Sequence, residues 1–251
     1  MNISKITVSF IGFVSVVSLL LYPPPSLAKI YHLTILHTND HKGHFMKFDH
    51  YPMIDVGGMA ARSTIINIVR AEVEEADGHV LLLSGGDVNI GTPESDLLYA
   101  EPDFKLMKML GYDAMVLGNM EFDIPRDLLM KQREWAGFPF LSANIVKKET
   151  GKLLDFVEPY IMKEFDGLHV VIFGLTTEET TKSFIAAEDV NARSGIEVAK
   201  AFVPKLKSEA DIVIALTNLG FQEIADFGPR TPGDVELAKA VSGIDVIVGG
   251  K

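Results

Sequence analysis

Five apolar, β-branched runs punctuate the chain, and each ends in one or two small residues followed by a polar side chain. They are residues 35–39 before Asp40, 81–86 before Asp87, 114–118 before Asn119, 212–217 before Asn218 and 245–250 before Lys251. Continuous apolar runs of this length are the mark of strands buried on both faces. In an open α/β sheet the ligand crevice lies outside the carboxyl ends of the strands, so the five tips are expected to converge on one site. Between the runs the period changes. The pattern predicts strands over 30–38, 80–83, 114–117, 160–165, 169–175, 212–216 and 246–248, and helices over 59–75, 104–110, 126–135, 196–207 and 234–241. Asp166-Gly167 between two apolar segments is a hairpin turn signal. Pro204 is expected to kink or end its helix. Alternating strands and helices imply an α/β layered fold, as one mixed sheet or two packed sheets with helices outside.

The first 28 residues break this rhythm. Lys5 is followed by an uncharged apolar stretch over 6–21, and Ser26-Leu27-Ala28 fits a small-x-small cleavage site. The stretch is short for a membrane span of about 20 residues, so a cleaved signal peptide is expected rather than stable membrane insertion. The domain proper is then 29–251, in a periplasmic or secreted product. The chain contains no cysteine, which removes a disulfide framework and a lipid-attachment thiol. A net charge of -11 argues against a nucleic-acid footprint. It also disfavours phosphate-bearing ligands unless a local cation screens it.

The chemistry at the tips is hard oxygen. Asp40, Asp87 and Asn119 are of the type that binds divalent metal. Asp40 and Asp87 are also suited to capping turns after strands, and Asn119 to a turn after Gly118. Met120 alone reads as core filler. Among the histidines, His32 and His37 are expected to pack in or beside a strand, whereas His41 and His44 lie close enough to Asp40 to supply a metal ligand.

Five segments in order, His37-Thr38-Asn39-Asp40, Leu83-Ser84-Gly85-Gly86-Asp87, Gly118-Asn119-Met120-Glu121-Phe122-Asp123, Leu141-Ser142-Ala143-Asn144 and Pro232-Gly233-Asp234-Val235-Glu236, resemble the N-terminal metallophosphoesterase domain of the bacterial periplasmic 5'-nucleotidase and UDP-sugar hydrolase family. The resemblance implies a four-layer α/β/β/α sandwich of the calcineurin-like type, with two divalent metals (Zn, Mn, Co or Mg) that activate a water and clamp a phosphoryl oxygen. The implied substrates are nucleoside monophosphates or nucleotide sugars. It assigns Asp40 to the first metal, Asp87 to a bridge between both and Asn119 to the second. Where the family carries histidine, this chain has Lys42, Met120, Asn218 and Lys251. Lysine at neutral pH has no lone pair to give a metal, and methionine neither donates a useful proton nor stabilises an oxyanion. Asp123, implied to orient the catalytic histidine, would face Met120 instead. The expectation is a catalytically impaired member of the family; the alternative is a non-catalytic binding or scaffold pseudoenzyme. An apolar run ending at Lys251 leads us to expect a fragment lacking the family's C-terminal nucleotide-binding domain, the alternative being a true terminus that docks a last strand. If the metals are absent, at least one nitrogen of Lys42 or Lys251 is expected within about 4 Å of an Asp40 or Asp87 oxygen, Lys42 being the stronger candidate, and the alternative is that both lysines extend into solvent.

Overall fold

The computed structural model describes residues 29–89, 91–182, 189–222 and 231–251; the predicted leader at 1–28 lies outside them. The elements run β1 (Leu33–Thr38), β2 (Phe48–His50), β3 (Met53–Val56), α1 (Gly58–Glu75), β4 (His79–Ser84), α2 (Pro93–Leu97), α3 (Glu101–Leu110), β5 (Ala114–Val116), α4 (Arg126–Ala136), β6 (Phe140–Leu141), β7 (Ile145–Lys147), β8 (Tyr160–Phe165), β9 (Leu168–Thr176), β10 (Val190–Ala192), α5 (Gly195–Glu209), β11 (Ile212–Asn218), α6 (Asp234–Ala240) and β12 (Val246–Gly249).

Two four-stranded sheets carry the fold. The first has the order β1-β4-β5-β6 with every pair parallel. The second has the order β12-β11-β9-β8; its first three strands are parallel, and β8 turns back on β9 through the Asp166-Gly167 hairpin. Side-chain alternation then sorts each buried strand into an outward and an inward face. Leu82, Met115, Leu117 and Phe140 pack with Phe104, Met107 and Leu129 under the helices α3 and α4. Val171, Phe173, Val213 and Ala215 pack with Ala199, Val203, Leu206 and Leu237 of α5 and α6. The intervening residues Leu81, Leu83, Val116 and Leu141 of one sheet, and Ile172, Ile214 and Leu216 of the other, are fully buried and fill the space between the sheets. Gly174 of β9 lies against Leu141, where a Cβ would clash with the Leu141 backbone. The layers are therefore α/β/β/α.

Helix ends follow local chemistry. Helix α3 carries Glu101 and Asp103 in its first turn and stops at Gly111, which takes the left-handed conformation at φ 72°. Helix α5 starts at Ser194, whose side chain accepts from the Glu197 amide. It does not end at Pro204 but continues to Glu209. Pro204 and Lys200, whose carbonyl loses its donor, both lie on the exposed face, and water can satisfy that carbonyl while Val203 and Leu206 stay packed on the sheet. Strand β1 begins at Leu33 rather than residue 30, and His32 and His37 are exposed instead of packed. The reason is position: β1 is the edge of its sheet, so only one neighbour covers it. Among the described residues no helix is long and apolar enough to cross a membrane.

Candidate functional site at the strand tips

The tips of β1, β4 and β5 come from the first sheet and those of β11 and β12 from the second, and the two sets meet. The Asp40 amide donates to the Gly86 carbonyl at 3.1 Å and the Lys42 amide to the Asp87 carbonyl at 3.0 Å, which ties the first two tips together. Across the sheets, Asn218 Nδ2 donates to the Gly85 carbonyl at 2.8 Å, the Lys251 amide donates to Asp40 Oδ2 at 3.0 Å, and Asn39 Nδ2 donates to the Gly249 carbonyl. Gly85 and Gly250 touch backbone to backbone, with no room for a Cβ on either. Gly118 has the same role at the third tip: a Cβ there would run into Asp87 Oδ1 and Asn218 Nδ2 at once.

Backbone strain concentrates here. Asp40, Lys42 and Asp87 hold φ of 50°, 47° and 54°. Aspartate tolerates this region better than most residues, lysine does not, and such outliers cluster where side chains must be aimed.

Of the residues assigned to metal or catalysis, the structure brings together Asp40, Asp87, Asn119, Met120, Lys42, Asn218 and Lys251. Lys42 Nζ stands 3.3 Å from Asp40 Oδ1. The Lys42 contact meets the expectation of at least one lysine nitrogen beside these carboxylates; at Lys251 the backbone amide reaches Asp40, and Nζ turns to Glu179 with Thr177 Oγ1 at 3.4 Å. Glu179 lies nearer to the Lys251 ammonium than the aspartates do. Met120 donates its amide to Asp87 Oδ1 at 3.1 Å. Asp123 is half-buried at the end of the short 3-10 turn Met120–Phe122, its amide on the Met120 carbonyl at 3.1 Å. Burial raises the pKa of Asp87; the Met120 amide opposes it, Asp40 adds to it, and Asn218 and Lys42 lower it again.

Neither histidine beside Asp40 is free to ligate a metal through the ring nitrogens that the neighbours occupy. His41 is buried, with Nε2 2.7 Å from Asp103 Oδ1 and Nδ1 accepting from Arg62 Nη2 at 3.0 Å. Arg62 can only donate, so Nε2 carries the proton and donates to Asp103. Burial lowers the pKa of His41 against the opposing pull of Asp103. Ser95 Oγ donates to the other Asp103 oxygen at 2.7 Å. His44 spends Nδ1 on the Lys42 carbonyl at 2.8 Å and sets its ring on Phe48.

Glu121 is the residue that sequence reasoning missed. It is fully buried and accepts backbone amides from Asp87 at 2.9 Å, Val88 at 2.8 Å, Gly118 at 2.8 Å and Asn89 at 3.3 Å. Desolvation and then repulsion by Asp87 push its pKa up to about 7 against these donors. One carboxylate thus gathers the loops after β4 and β5. A signal was available: an acid set between the apolar Met120 and Phe122, three residues after Gly118, can be buried only if nearby turns offer unpaired amides.

The donor set fits a divalent pair only in part. Among the described residues no three of histidine, cysteine, aspartate and glutamate group as a metal site. Around Asp40 the Lys42 ammonium stands where a cation would. Around Asp87 the side chains offer oxygen, and Oδ1 of Asn119 and of Asn218 are both shut off from solvent with no donor among the described residues. A cleft of about 540 Å³ opens beside the tips, lined by His37, Asn39, Asp40, Phe221, Asp234 and Lys251 among others. Its floor is mixed: Asp234 accepts from Thr217 Oγ1 at 2.6 Å, and burial pushes its pKa up to about 6.

No family model matches the chain. It is similar to a 5'-nucleotidase of Vibrio cholerae, 49% identical over 230 residues, which covers 88% of this chain and 40% of that protein. Protein UshA of Yersinia enterocolitica is 44% identical over 228 residues, again 88% of this chain and 40% of the relative. Among solved structures, the calcineurin-like phosphoesterase YfkN of Bacillus subtilis superposes with a TM-score of 0.70 at 27% identity, covering 88% of this chain and 72% of that one. The chain spans about two fifths of the length of the curated relatives it matches.

Proposed function

Since its homologues are 5'-nucleotidases and UshA proteins, and it fits the N-terminal metallophosphoesterase domain of that family, we propose that this chain is an exported member of a nucleotide-hydrolase lineage whose phosphoester chemistry is impaired. The substrates of the lineage are nucleoside monophosphates or nucleotide sugars. A bound metal pair supplies water activation and charge neutralisation at phosphorus. This chain's residues do something else. Lys42 neutralises Asp40 at 3.3 Å, and the Lys251 amide caps its second oxygen. The Met120 amide holds Asp87, but its thioether has no proton to give a leaving group.

The observation that carries the reading is the Lys42 ammonium on Asp40. It satisfies electrostatically the carboxylate that would hold the first metal. The same contact favours the second reading, a non-catalytic binding protein, because it stabilises the site without turnover. Loss of an acid-base group alone lowers rates by about 10²- to 10⁴-fold. The test is hydrolysis of a nucleoside monophosphate with added Mn²⁺, Co²⁺ or Zn²⁺. The unaltered chain and Met120→His are expected to stay at background, while Met120→His combined with Lys42→His, Asn218→His and Lys251→His gains turnover. Substantial hydrolysis by the unaltered chain or by the single variant overturns the reading.

A further inference from the structure

Helix α1 has two apolar flanks, and only one of them is covered. Met59 and Ile66 are buried in the core of the first sheet. Ala61, Ile65, Ile68 and Glu72 run down another flank and are all exposed, Ile65 by 61% and Ile68 by 52%. Their spacing of four, three and four residues is the heptad seam that aligns side chains down one side of a helix. Isolated exposed isoleucines are ordinary on a protein surface, but two in adjacent turns of one seam form a strip that a second helix can cover. The charges of α1 also run against its own dipole. Its first turn holds no acidic residue and no side-chain cap, and its last turn holds no basic residue. Glu72, Glu74 and Glu75 crowd the last turn instead, at the end that already carries partial negative charge. Such carboxylates are stabilised beside a helix N-terminus. Within one copy that end of α1 lies far off, since a helix of 18 residues is about 27 Å long.

We propose that this flank of α1 is a self-association surface, and that its occupant is the α1 of a second copy of this chain, antiparallel about a twofold axis between Ile65 and Ile68. A twofold contact is self-complementary, so Ile65 of each copy packs on Ile68 of the other and Glu72 of each comes beside Ala61 of the other. The small Ala61 lets that carboxylate approach the amides of the first turn, the positive end of the helix. A parallel pairing sets Glu72 against Glu72 and is disfavoured by the same charges. The seam from Ala61 to Glu72 runs roughly 16 Å, so the pair buries less than the about 1,200 Å² at which stable interfaces begin. The net charge of -11 on each copy opposes approach as well. A weak, reversible dimer is the consequence. It uses no residue of the strand-tip site.

The experiment is sedimentation equilibrium of the full chain from about 5 µM to about 0.5 mM, a range suited to weak interfaces of this size, with Tm measured on the dilute protein. The mass is expected to rise from that of one copy toward that of two. Ile65→Asp and Ile68→Asp leave the core untouched, because both positions are exposed, and should each weaken association about tenfold or more. Glu72→Lys should weaken association about three- to tenfold while raising the Tm of the dilute chain, because lysine suits the C-terminal end of its own helix. A damaged fold cannot move those two readouts in opposite directions. A single-copy mass at every concentration overturns the proposal. So does association unchanged in Ile68→Asp, which would place the contact elsewhere on the chain, or tighter association in Glu72→Lys.

Discussion

The two halves of the site are built on different principles. The loops after β4 and β5, in the first sheet, are gathered by Glu121, which accepts amides from both at 2.8–2.9 Å. Among the described residues, the loops after β11 and β12, in the second sheet, show no such centre. They meet the first half through separate contacts, Asn218 on Gly85, the Lys251 amide on Asp40, Asn39 on Gly249 and the Gly85–Gly250 backbone contact, and Asn218 keeps an unmatched oxygen. The first half still holds Asp40, Asp87 and Asn119, whereas the second carries Asn218 and Lys251 where the family resemblance implies histidine. A half whose polar groups support one another keeps its shape independently of what it binds. The other half owes its chemistry to side chains that can change at little structural cost.

The largest expected effect tests that difference. Glu121→Ala strips three closely held buried amides of their acceptor, at about 1–3 kcal/mol each. We expect a loss of about 4 kcal/mol and a Tm lower by roughly 10 °C for a chain of this size. Asn218→Leu in the second half removes one bond but also an orphan oxygen, and should cost about 1 kcal/mol or less in metal-free buffer. Urea unfolding of both variants decides it, and equal losses would break the comparison. Next in size is Gly118→Ala, whose added methyl collides with Asp87 Oδ1 and Asn218 Nδ2 together. Such overpacking costs about 1–3 kcal/mol. Since it pushes the two halves apart, chemical-shift changes should appear at both the Asp87 and the Asn218 amides; a response confined to one side would show that the halves are not coupled there.

Much of this architecture is written in local pattern. The buried parallel strands are apolar runs, so β4, β5, β11 and β12 and their tip residues stand out, and Asp166-Gly167 marks the β8–β9 turn. The two-layer arrangement is less legible, because the tips of one sheet and of two packed sheets have the same sequence form. The short strands β2, β3, β6, β7 and β10 carry two to four residues each and leave no periodicity to detect. Pairings made by tertiary packing were hidden for a different reason. His41 meets Asp103 across 62 positions, and nothing local distinguishes a histidine that is buried against an acid from one aimed at a metal. Glu121 was hidden in the same way by its more conspicuous neighbours Asn119 and Met120.

A smaller effect concerns proton linkage in the second half. Burial raises the pKa of Asp234 to about 6 from 3.8, so the folded state holds its proton more tightly than the unfolded chain. Its contribution to stability is therefore full below about pH 4 and is lost as pH rises through about 6. Solvent screening of this partly open group reduces the effect to about 1 kcal/mol. Asp234→Asn should gain on the unaltered chain by that amount between pH 4 and pH 7, as read by urea midpoints at each pH. A constant difference would mean that Asp234 ionises normally in the fold.

The smallest effect is the one that bears on the charge balance around Asp40 in the first half. Lys42 and Asp40 are 44% and 29% exposed, so their pair at 3.3 Å is screened by water and belongs with surface ion pairs. Such pairs contribute about 0.2–1 kcal/mol. In a double-mutant cycle of Lys42→Ala with Asp40→Asn we expect a coupling of about 0.5 kcal/mol that shrinks as salt rises from 0.05 to about 0.5 M, as the Debye length falls. A coupling near zero at low salt would mean that the ammonium merely lies near the carboxylate. Asp40 would then be held by the Lys251 amide alone, and the first half would depend on the second for its charge balance, reversing the order of support between them.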